Sequence, residues 1–178
     1  MNEPNVELAQ AFLAFSRHRL LERYWPRLKT CVEPLTESQV WWRPNPASNS
    51  IGNLILHLNG NVTQWLIAAF NRDEDLRDRP SEFSTESGIS AATLLDRLGA
   101  TMAEAAKVLD RLTVEELLAP FEIQGYHVRG LDAVYQSVEH FGMHYGQIAY
   151  ITKTLNGKDL GFYRDLTKTG RSSGGPTF

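Results

Sequence analysis

Two histidines stand four residues apart near the end of the chain, His140 and His144 in the segment VEHFGMHYGQI. Residues i and i+4 of an α-helix lie on one face about one turn apart, so both imidazoles can reach the same metal ion. A zinc–nitrogen bond of about 2.0–2.1 Å is within reach of two such rings. The flanking residues are apolar, and an unpaired polar nitrogen buried among them costs about 1–3 kcal/mol. The pair therefore predicts part of a metal site.

A third ligand is expected from another helix, and one segment presents a row of polar residues on an otherwise apolar background. The row consists of Asn53, His57, Asn61 and Gln64. His57 is its natural metal ligand, because a polar line on an apolar helix favours a site inside a bundle. Asn61 and Gln64 are candidates for hydrogen bonds to the ligands, and Gln147, one turn beyond His144, can hold a histidine or a substrate.

A structural interpretation of the same histidines remains open, since a single histidine on a helix is more often a core or surface residue than a ligand. In that case the chain is a helical dimerisation module. His18 and His127 have no comparable setting. Glu139 lies about 100° round the helix from His140, which favours a solvated carboxylate. The sequence shows no clear general base, which weakens any hydrolase hypothesis.

Three neutral imidazoles would leave a divalent ion with its full charge and an open coordination position, which is the catalytic rather than the structural arrangement. A water there can become a nucleophile near neutral pH, and a thiol ionises even more readily. The sequence does not choose between them. Imidazole suits zinc, nickel, copper and iron alike, so the metal also stays open.

Helices must position these residues, and four long segments of the chain show the apolar periodicity of a helix. They cover about residues 6–31, 51–71, 91–112 and 131–155. Pro26 is expected to kink the first helix or end it early. Capping-box patterns at Thr36 and Thr113 predict short helices in the connections, and residues 121–129 suggest a small hairpin. The fold class is all-α, a four-helix bundle over residues 1–166, followed by a flexible polar tail over 167–178.

The composition argues against nucleic-acid binding and against insertion into a membrane. The net charge is −3, and no stripe of Lys or Arg indicates a nucleic-acid partner. No stretch reaches the roughly 18 apolar residues of a membrane span, and the N-terminus shows no secretion signal. A single cysteine, Cys31, cannot form an internal disulfide, which fits a cytoplasmic protein.

Two segments resemble the DinB/YfiT-like superfamily: HLNGNVTQW at residues 57–65 and HFGMHYGQI at residues 140–148. The pattern is one histidine in the second helix, then His-x-x-x-His with a following Gly-Gln in the last helix. Further segments resemble a subgroup of that superfamily without assigned roles. They are residues 41–46, 48–53, 77–83 and 161–164.

The resemblance implies a four-helix bundle with a three-histidine site, His57, His140 and His144, for zinc, nickel or a similar divalent ion. It also implies a homodimer and a metal-dependent enzyme acting on a small molecule. That enzyme is either a transferase using a low-molecular-weight thiol or a hydrolase. The alternative is a non-catalytic metal- or ligand-binding protein of the stress response, which the missing general base favours.

Overall fold

The first long helix is built from three consecutive pieces in the computed structural model, which describes residues 3–164. Helix α1 (Glu3–Arg17) runs into a π-helical segment (His18–Tyr24), and α2 (Trp25–Val32) continues from it. The expected early end at Pro26 is wrong, because the helix continues to Val32. Pro26 lies in the first turn of α2, directly after the π-helical segment, where the backbone hydrogen-bond pattern has already shifted and a missing N–H is tolerated.

The second long helix contains α4 (Ile51–Val62), a second π-helical segment (Thr63–Ala68) and α5 (Ala69–Asn71). It begins at a capping box. The Ser50 hydroxyl accepts from the Asn53 N–H at 3.1 Å, and the Asn53 side chain accepts from the Ser50 N–H at 3.1 Å. The predicted range of this helix is confirmed, since the Ser-x-x-Asn pattern satisfies backbone donors that the first turn leaves unpaired.

The third and fourth long helices are α7 (Ala91–Arg111) and α9 (Gly130–Asn156), both close to their predicted ranges. Ser90 caps α7 by accepting from the N–H of Thr93. Gly157 ends α9 in the left-handed region, with φ 63°. Glycine adopts that conformation without steric cost, which is why it so often follows the last helical residue.

Within the described residues, the connections contain three short helices and one hairpin. The predicted helices at Thr36 and Thr113 are α3 (Glu37–Val40) and α8 (Val114–Leu118), each with the expected capping box. The hairpin is also confirmed. Its strands β1 (Pro120–Ile123) and β2 (Tyr126–Arg129) pair in antiparallel register. Helix α6 (Arg79–Ser84) was not expected from periodicity.

A continuous apolar core lies between the long helices, with α4 packed against α7, α9 and α6. Its largest fully buried side chains come from all four long helices, namely Leu20, Leu28, Ile51, Leu54, Ile55, Leu58, Leu66, Leu94, Leu98, Met102, Phe141 and Ile148. The fold is therefore the expected all-α bundle. None of the described helices is long and apolar enough to cross a membrane. The predicted tail, residues 167–178, lies outside the described residues.

Candidate metal centre

The side chains of His57, His140 and His144 converge between α4 and α9. One ligand nitrogen from each ring lies within 4.8 Å of those of the other two. The Nε2 atoms of His57 and His140 are 2.8 Å apart. His57 and His144 are buried, at 4% and 9% exposure, whereas His140 is partly exposed. The structure thus brings together all three histidines that the sequence selected, and together they form the three-histidine cluster.

The outer nitrogens of two rings are held by acceptors. Nδ1 of His57 lies 2.7 Å from Oε2 of Glu82, and Nδ1 of His144 lies 2.7 Å from Oε1 of Gln147. A carboxylate only accepts, and its contact is shorter than the 3.1 Å between Nδ1 of His57 and Nη2 of Arg77, so Glu82 favours a proton on Nδ1 of His57. The Gln147 carbonyl favours the same tautomer in His144. This tautomer leaves the Nε2 atoms of both rings free to bind a metal, as in metal-binding histidines whose other nitrogen is held by a neighbour.

Glu82 belongs to a buried ion pair that the sequence did not indicate. Arg77 donates through Nε to Oε1 at 2.7 Å and through Nη2 to Oε2 at 2.9 Å. The side chains of Arg77 and Glu82 are only 5% and 7% exposed. Two parallel N–H···O bonds match the planar guanidinium fork to the carboxylate, so the pair fixes the oxygen that faces His57. The only sequence signal was that residues 77–83 resemble the superfamily subgroup.

Asn53 attaches the helix that carries Glu82 to the helix that carries His57. Its buried side-chain amide donates to the carbonyl of Glu82 at 2.9 Å and to that of Thr85 at 2.7 Å. Its oxygen accepts from Ser50 in the capping box of α4. One side chain therefore begins α4 and docks α6 against it, which places the carboxylate beside His57.

Burial favours the neutral form of His140 and His144. Desolvation, then the charges of His144 and His57, lower the pKa of His140 to about 4. Desolvation also lowers the pKa of His144, and the hydrogen bond to Gln147 offsets only part of this effect. Burial raises the pKa of Glu82, but the hydrogen bonds from His57 and Arg77 outweigh it and the net pKa lies below the ordinary value. Two neutral imidazoles, His140 and His144, therefore lie near an ionised Glu82, and a histidine must be neutral to bind a metal.

The donor set fits a divalent ion. Two nitrogens bonded tetrahedrally to one zinc ion lie about 3.4 Å apart, and the nitrogens of the cluster, from 2.8 Å to at most 4.8 Å apart, are close to that spacing. Three nitrogen donors, with a carboxylate behind one and an amide behind another, suit a divalent transition-metal ion. The cluster can hold a metal ion.

The supporting residues proposed from the sequence have different surroundings. Gln147 contacts His144 directly and also borders a groove of about 600 Å³ beside α9. Gln64 accepts from Nη1 of Arg77 at 2.9 Å and donates to Asp75, so it reaches the cluster only through the ion pair. Asn61 is buried on the His57 face, and its Oδ1 has no hydrogen-bond partner among the described residues.

The residues set aside at the sequence level lie away from the cluster. His18 is partly exposed and contacts Glu22 at 3.0 Å, and His127 is exposed on β2. Glu139 is exposed, as its position on the helix predicted. Within residues 3–164, no carboxylate other than Glu82 makes a hydrogen bond to the three-histidine cluster.

Comparisons with known proteins agree with the observed fold. At the level of structure the chain is similar to a conserved protein from Enterococcus faecalis, with a TM-score of 0.69 and 20% identity over 82% of this chain and 97% of that one. It is also similar to a DinB-like protein from Bacillus cereus ATCC 10987, with a TM-score of 0.59 and 13% identity over 74% of this chain and 85% of that one. These identities support the fold alone.

No protein with a curated description matches the sequence. The family model of the DinB superfamily matches residues 20–148, which include all three histidines, Glu82 and Gln147. That match covers well over half of the chain. The chain belongs to the DinB superfamily.

Proposed function

We propose that this protein binds one divalent metal ion through Nε2 of His57, His140 and His144 and acts as a metal-dependent enzyme on a small molecule. The observation that carries the proposal is the orientation of the rings. Glu82 and Gln147 engage the Nδ1 atoms of His57 and His144, which leaves the Nε2 atoms of these rings free to bind a metal, and Nε2 of His57 lies 2.8 Å from Nε2 of His140.

Within this proposal the ion supplies a Lewis acid with a coordination position that no histidine occupies. The protein's own residues define the rest of the site. Glu82 holds the His57 ring and increases its basicity, and the buried Arg77 keeps that carboxylate ionised. His140 is the partly exposed member of the cluster, so a substrate approaches from its side. Thiol transfer and hydrolysis both remain compatible with these residues.

Elemental analysis of protein purified without a histidine tag tests metal binding. We expect about one ion per chain in the wild type and loss of that ion in His57→Ala, because two imidazoles on one helix hold a divalent ion far less tightly than three. His127→Ala is the matched control, since it removes an exposed imidazole outside the cluster. Metal-free wild-type protein, or an unchanged metal content in His57→Ala, contradicts the proposal.

Catalysis needs a separate test. The metal-loaded protein is assayed with small thiols plus electrophiles and with panels of esters and amides, and any turnover is compared with that of His144→Ala. We expect a rate in one panel that the variant lacks. The choice of thiols follows from thiolate being a strong ligand for soft and borderline metals.

A non-catalytic metal-binding protein is the second candidate, and the state of Glu82 favours it. Arg77 and His57 occupy both oxygens of this carboxylate, and they hold its pKa below the ordinary value, so it is a poor general base. This candidate predicts stoichiometric metal with no turnover in either panel. A rate that disappears in His144→Ala excludes it.

We also propose that the protein forms a homodimer. Large apolar side chains on α1 and α8 support it, since Leu8, Phe15 and Leu118 are all more than half exposed, at 71%, 53% and 56%. Exposed apolar patches of this kind often mark protein–protein contacts. Light scattering coupled to size-exclusion chromatography measures the mass, and a mass of 20.1 kDa would identify a monomer.

A further inference from the structure

Arg79, the first residue of α6, is exposed and has no anionic partner within residues 3–164. Its guanidinium makes no hydrogen bond in that part of the chain and packs instead over the ring of Phe83, with 5.1 Å between the guanidinium carbon and the ring centroid. An unpaired arginine is ordinary on a protein surface. What sets Arg79 apart is its position beside the three-histidine cluster.

The neighbours of Arg79 on its own helix explain why its charge is unpaired. A cation on a helix pairs most readily with a carboxylate three or four residues away. The residue three positions on is Glu82, but this side chain is buried and both of its oxygens accept from Arg77. The residue four positions on is Phe83, which offers a ring and no charge. Arg79 is therefore held by a cation–π contact that leaves its N–H groups available.

Phe83 places Arg79 close to the metal ligands. The centroid of the Phe83 ring lies 4.9 Å from that of the His57 ring, and the guanidinium of Arg79 lies over the same phenyl ring. The two contacts together limit the distance between the guanidinium carbon and the centre of the His57 ring to about 10 Å. The His140 ring lies 4.9 Å from that of His57. A small molecule bound at the cluster can therefore reach Arg79.

The charge of Arg79 acts on the side of the cluster that is open to solvent. His140 is the partly exposed ligand. Its pKa is lowered first by desolvation and further by neighbouring charges, which include that of Arg79. Because such an effect weakens with distance, Arg79 lies near the exposed edge of the cluster. Both groups are accessible to a substrate that arrives from solvent, so the contact requires no internal cavity.

We propose that Arg79 binds a carboxylate of the substrate while the reacting atom lies at the three-histidine cluster, a proposal that rests on the proposed function of that cluster. Two N–H groups on one edge of a guanidinium match the two oxygens of a carboxylate. The chain itself contains this pairing in the contact of Arg77 with Glu82. The substrate class is therefore a small molecule that carries a carboxylate close to its reacting atom.

The available charge favours a carboxylate over a phosphate. A phosphate monoester carries about −1.5 to −2 charges at neutral pH and is best held by several donors or cations. Arg77 already donates to Glu82 and to Gln64, which leaves Arg79 as the available guanidinium beside the cluster. One guanidinium balances the single negative charge of a carboxylate.

Matched pairs of thiols test this assignment with the zinc-loaded protein. Mercaptoacetate, 3-mercaptopropionate and 6-mercaptohexanoate each carry a metal-directed thiol and a carboxylate at a different separation, and the methyl ester of each removes the charge. Calorimetry measures the affinity of every acid and ester. At the best length we expect the acid to bind about tenfold more tightly than its ester, because the acid forms charge-assisted hydrogen bonds.

Two variants that remove one positive charge assign the preference. Arg79→Gln is expected to lose most of the preference for the acid, and it should keep its fold and its metal because Arg79 is exposed and makes no hydrogen bond within residues 3–164. Arg97→Gln is the matched control, since Arg97 is an exposed arginine on α7, and we expect it to keep the preference. Direct chelation of zinc by the carboxylate is common to all three proteins and cancels in the comparison.

The Nε–H signal of Arg79 gives a second readout that does not depend on turnover. The signal is identified in the ¹⁵N spectrum by its absence in Arg79→Gln. We expect it to shift when the zinc-loaded protein binds the acid of the best length and to stay in place with the corresponding ester.

This proposal and the proposed function fail in different ways. Absence of metal from the purified protein overturns the proposed function, and propionate and propionamide are then titrated separately against the Arg79 signal. A shift with propionate alone supports the carboxylate site, and an equal response to both overturns it. In the zinc-loaded protein, the site is overturned if no acid is preferred at any length, or if the preference survives in Arg79→Gln or is lost equally in Arg97→Gln.

Discussion

Oε2 of Glu82 lies 2.7 Å from Nδ1 of His57, although the two residues are 25 positions apart and belong to different helices. The carboxylate is fixed from its other side by Arg77. A carboxylate behind a metal-binding histidine sets the tautomer of the ring, fixes its orientation and raises its basicity. This contact therefore links the buried ion pair to the metal affinity of the cluster.

Replacement of Glu82 by Gln is expected to weaken metal binding by about 10–100-fold, the range seen when partners of metal-binding histidines are removed. It also leaves the Arg77 charge buried without its counter-ion, so we expect the metal-free protein to lose about 3–5 kcal/mol of unfolding free energy. Competition with a chelator measures the affinity, and urea denaturation measures the stability.

Glu86→Gln is the control for that experiment, since Glu86 is exposed four positions away and makes no contact with the cluster. This variant is expected to change neither the metal affinity nor the unfolding free energy. Wild-type metal affinity in a folded Glu82→Gln protein would show that the carboxylate has no role in holding the ion.

Substitutions at Gln147 are expected to move the affinity in opposite directions. Gln147→Leu removes the acceptor for Nδ1–H of His144 and should weaken metal binding by about tenfold. Gln147→Glu replaces it with a charged acceptor and should bind metal at least as tightly as the wild type. Because the residue is exposed, neither change should alter stability greatly. A decrease of similar size in both variants would argue against the hydrogen bond as the cause.

Gly60 allows the ion pair to be disturbed without changing any polar residue. A Cβ at Gly60 would lie 2.8 Å from Nε of Arg77 and in direct overlap with Oε1 of Glu82. Gly60→Ala is therefore expected to displace the carboxylate from His57 and to lower metal affinity, even though alanine is the better helix former.

Gly146 provides the matched comparison for that variant, because a Cβ there meets no atom within 4 Å. Gly146→Ala should raise the unfolding free energy by roughly 0.5–1 kcal/mol and leave metal affinity unchanged. Chelator competition on both proteins separates the two effects. Equal affinities would mean that the ion pair shifts without affecting His57.

Acid should destabilise the metal-free protein through its histidines. The pKa of His140 falls from an ordinary 6.5 to about 4 on folding, and that of His144 also falls. The unfolded chain therefore takes up these protons first as the pH drops. The contribution to stability is fully present above pH 6.5 and is lost between about pH 6.5 and pH 4, with a slope of up to about 1.4 kcal/mol per pH unit for each proton.

Urea denaturation at several pH values measures this slope, and His140→Gln is the comparison because glutamine does not titrate. We expect a shallower slope in the variant over the same range. The pKa of Glu82 is also depressed, but protonation of this carboxylate affects stability only below its ordinary pKa of 4.5. It therefore contributes little to the slope between pH 6.5 and pH 4.5. Equal slopes in both proteins would contradict the assignment to His140.

Local patterns were sufficient to predict most of the elements. The capping-box patterns at Thr36 and Thr113 mark the starts of two short helices, because the interactions that cap a helix involve residues three or four positions apart. Helix α6 was missed because six residues are too few for an apolar period to show. The early end at Pro26, one of the two outcomes predicted for this proline, did not occur, and the π-helical segment before it could not be predicted from the sequence.

The sequence alone determined which histidines share a face. Once the segment is helical, a spacing of four places His140 and His144 on one face. The polar row through His57 indicated which side of another helix faces them. The contacts of Glu82 with Arg77 and His57 were decided only by the tertiary structure. They depend on how α6 docks against α4, and such a long-range arrangement results from the whole core and leaves no periodic signal in the chain.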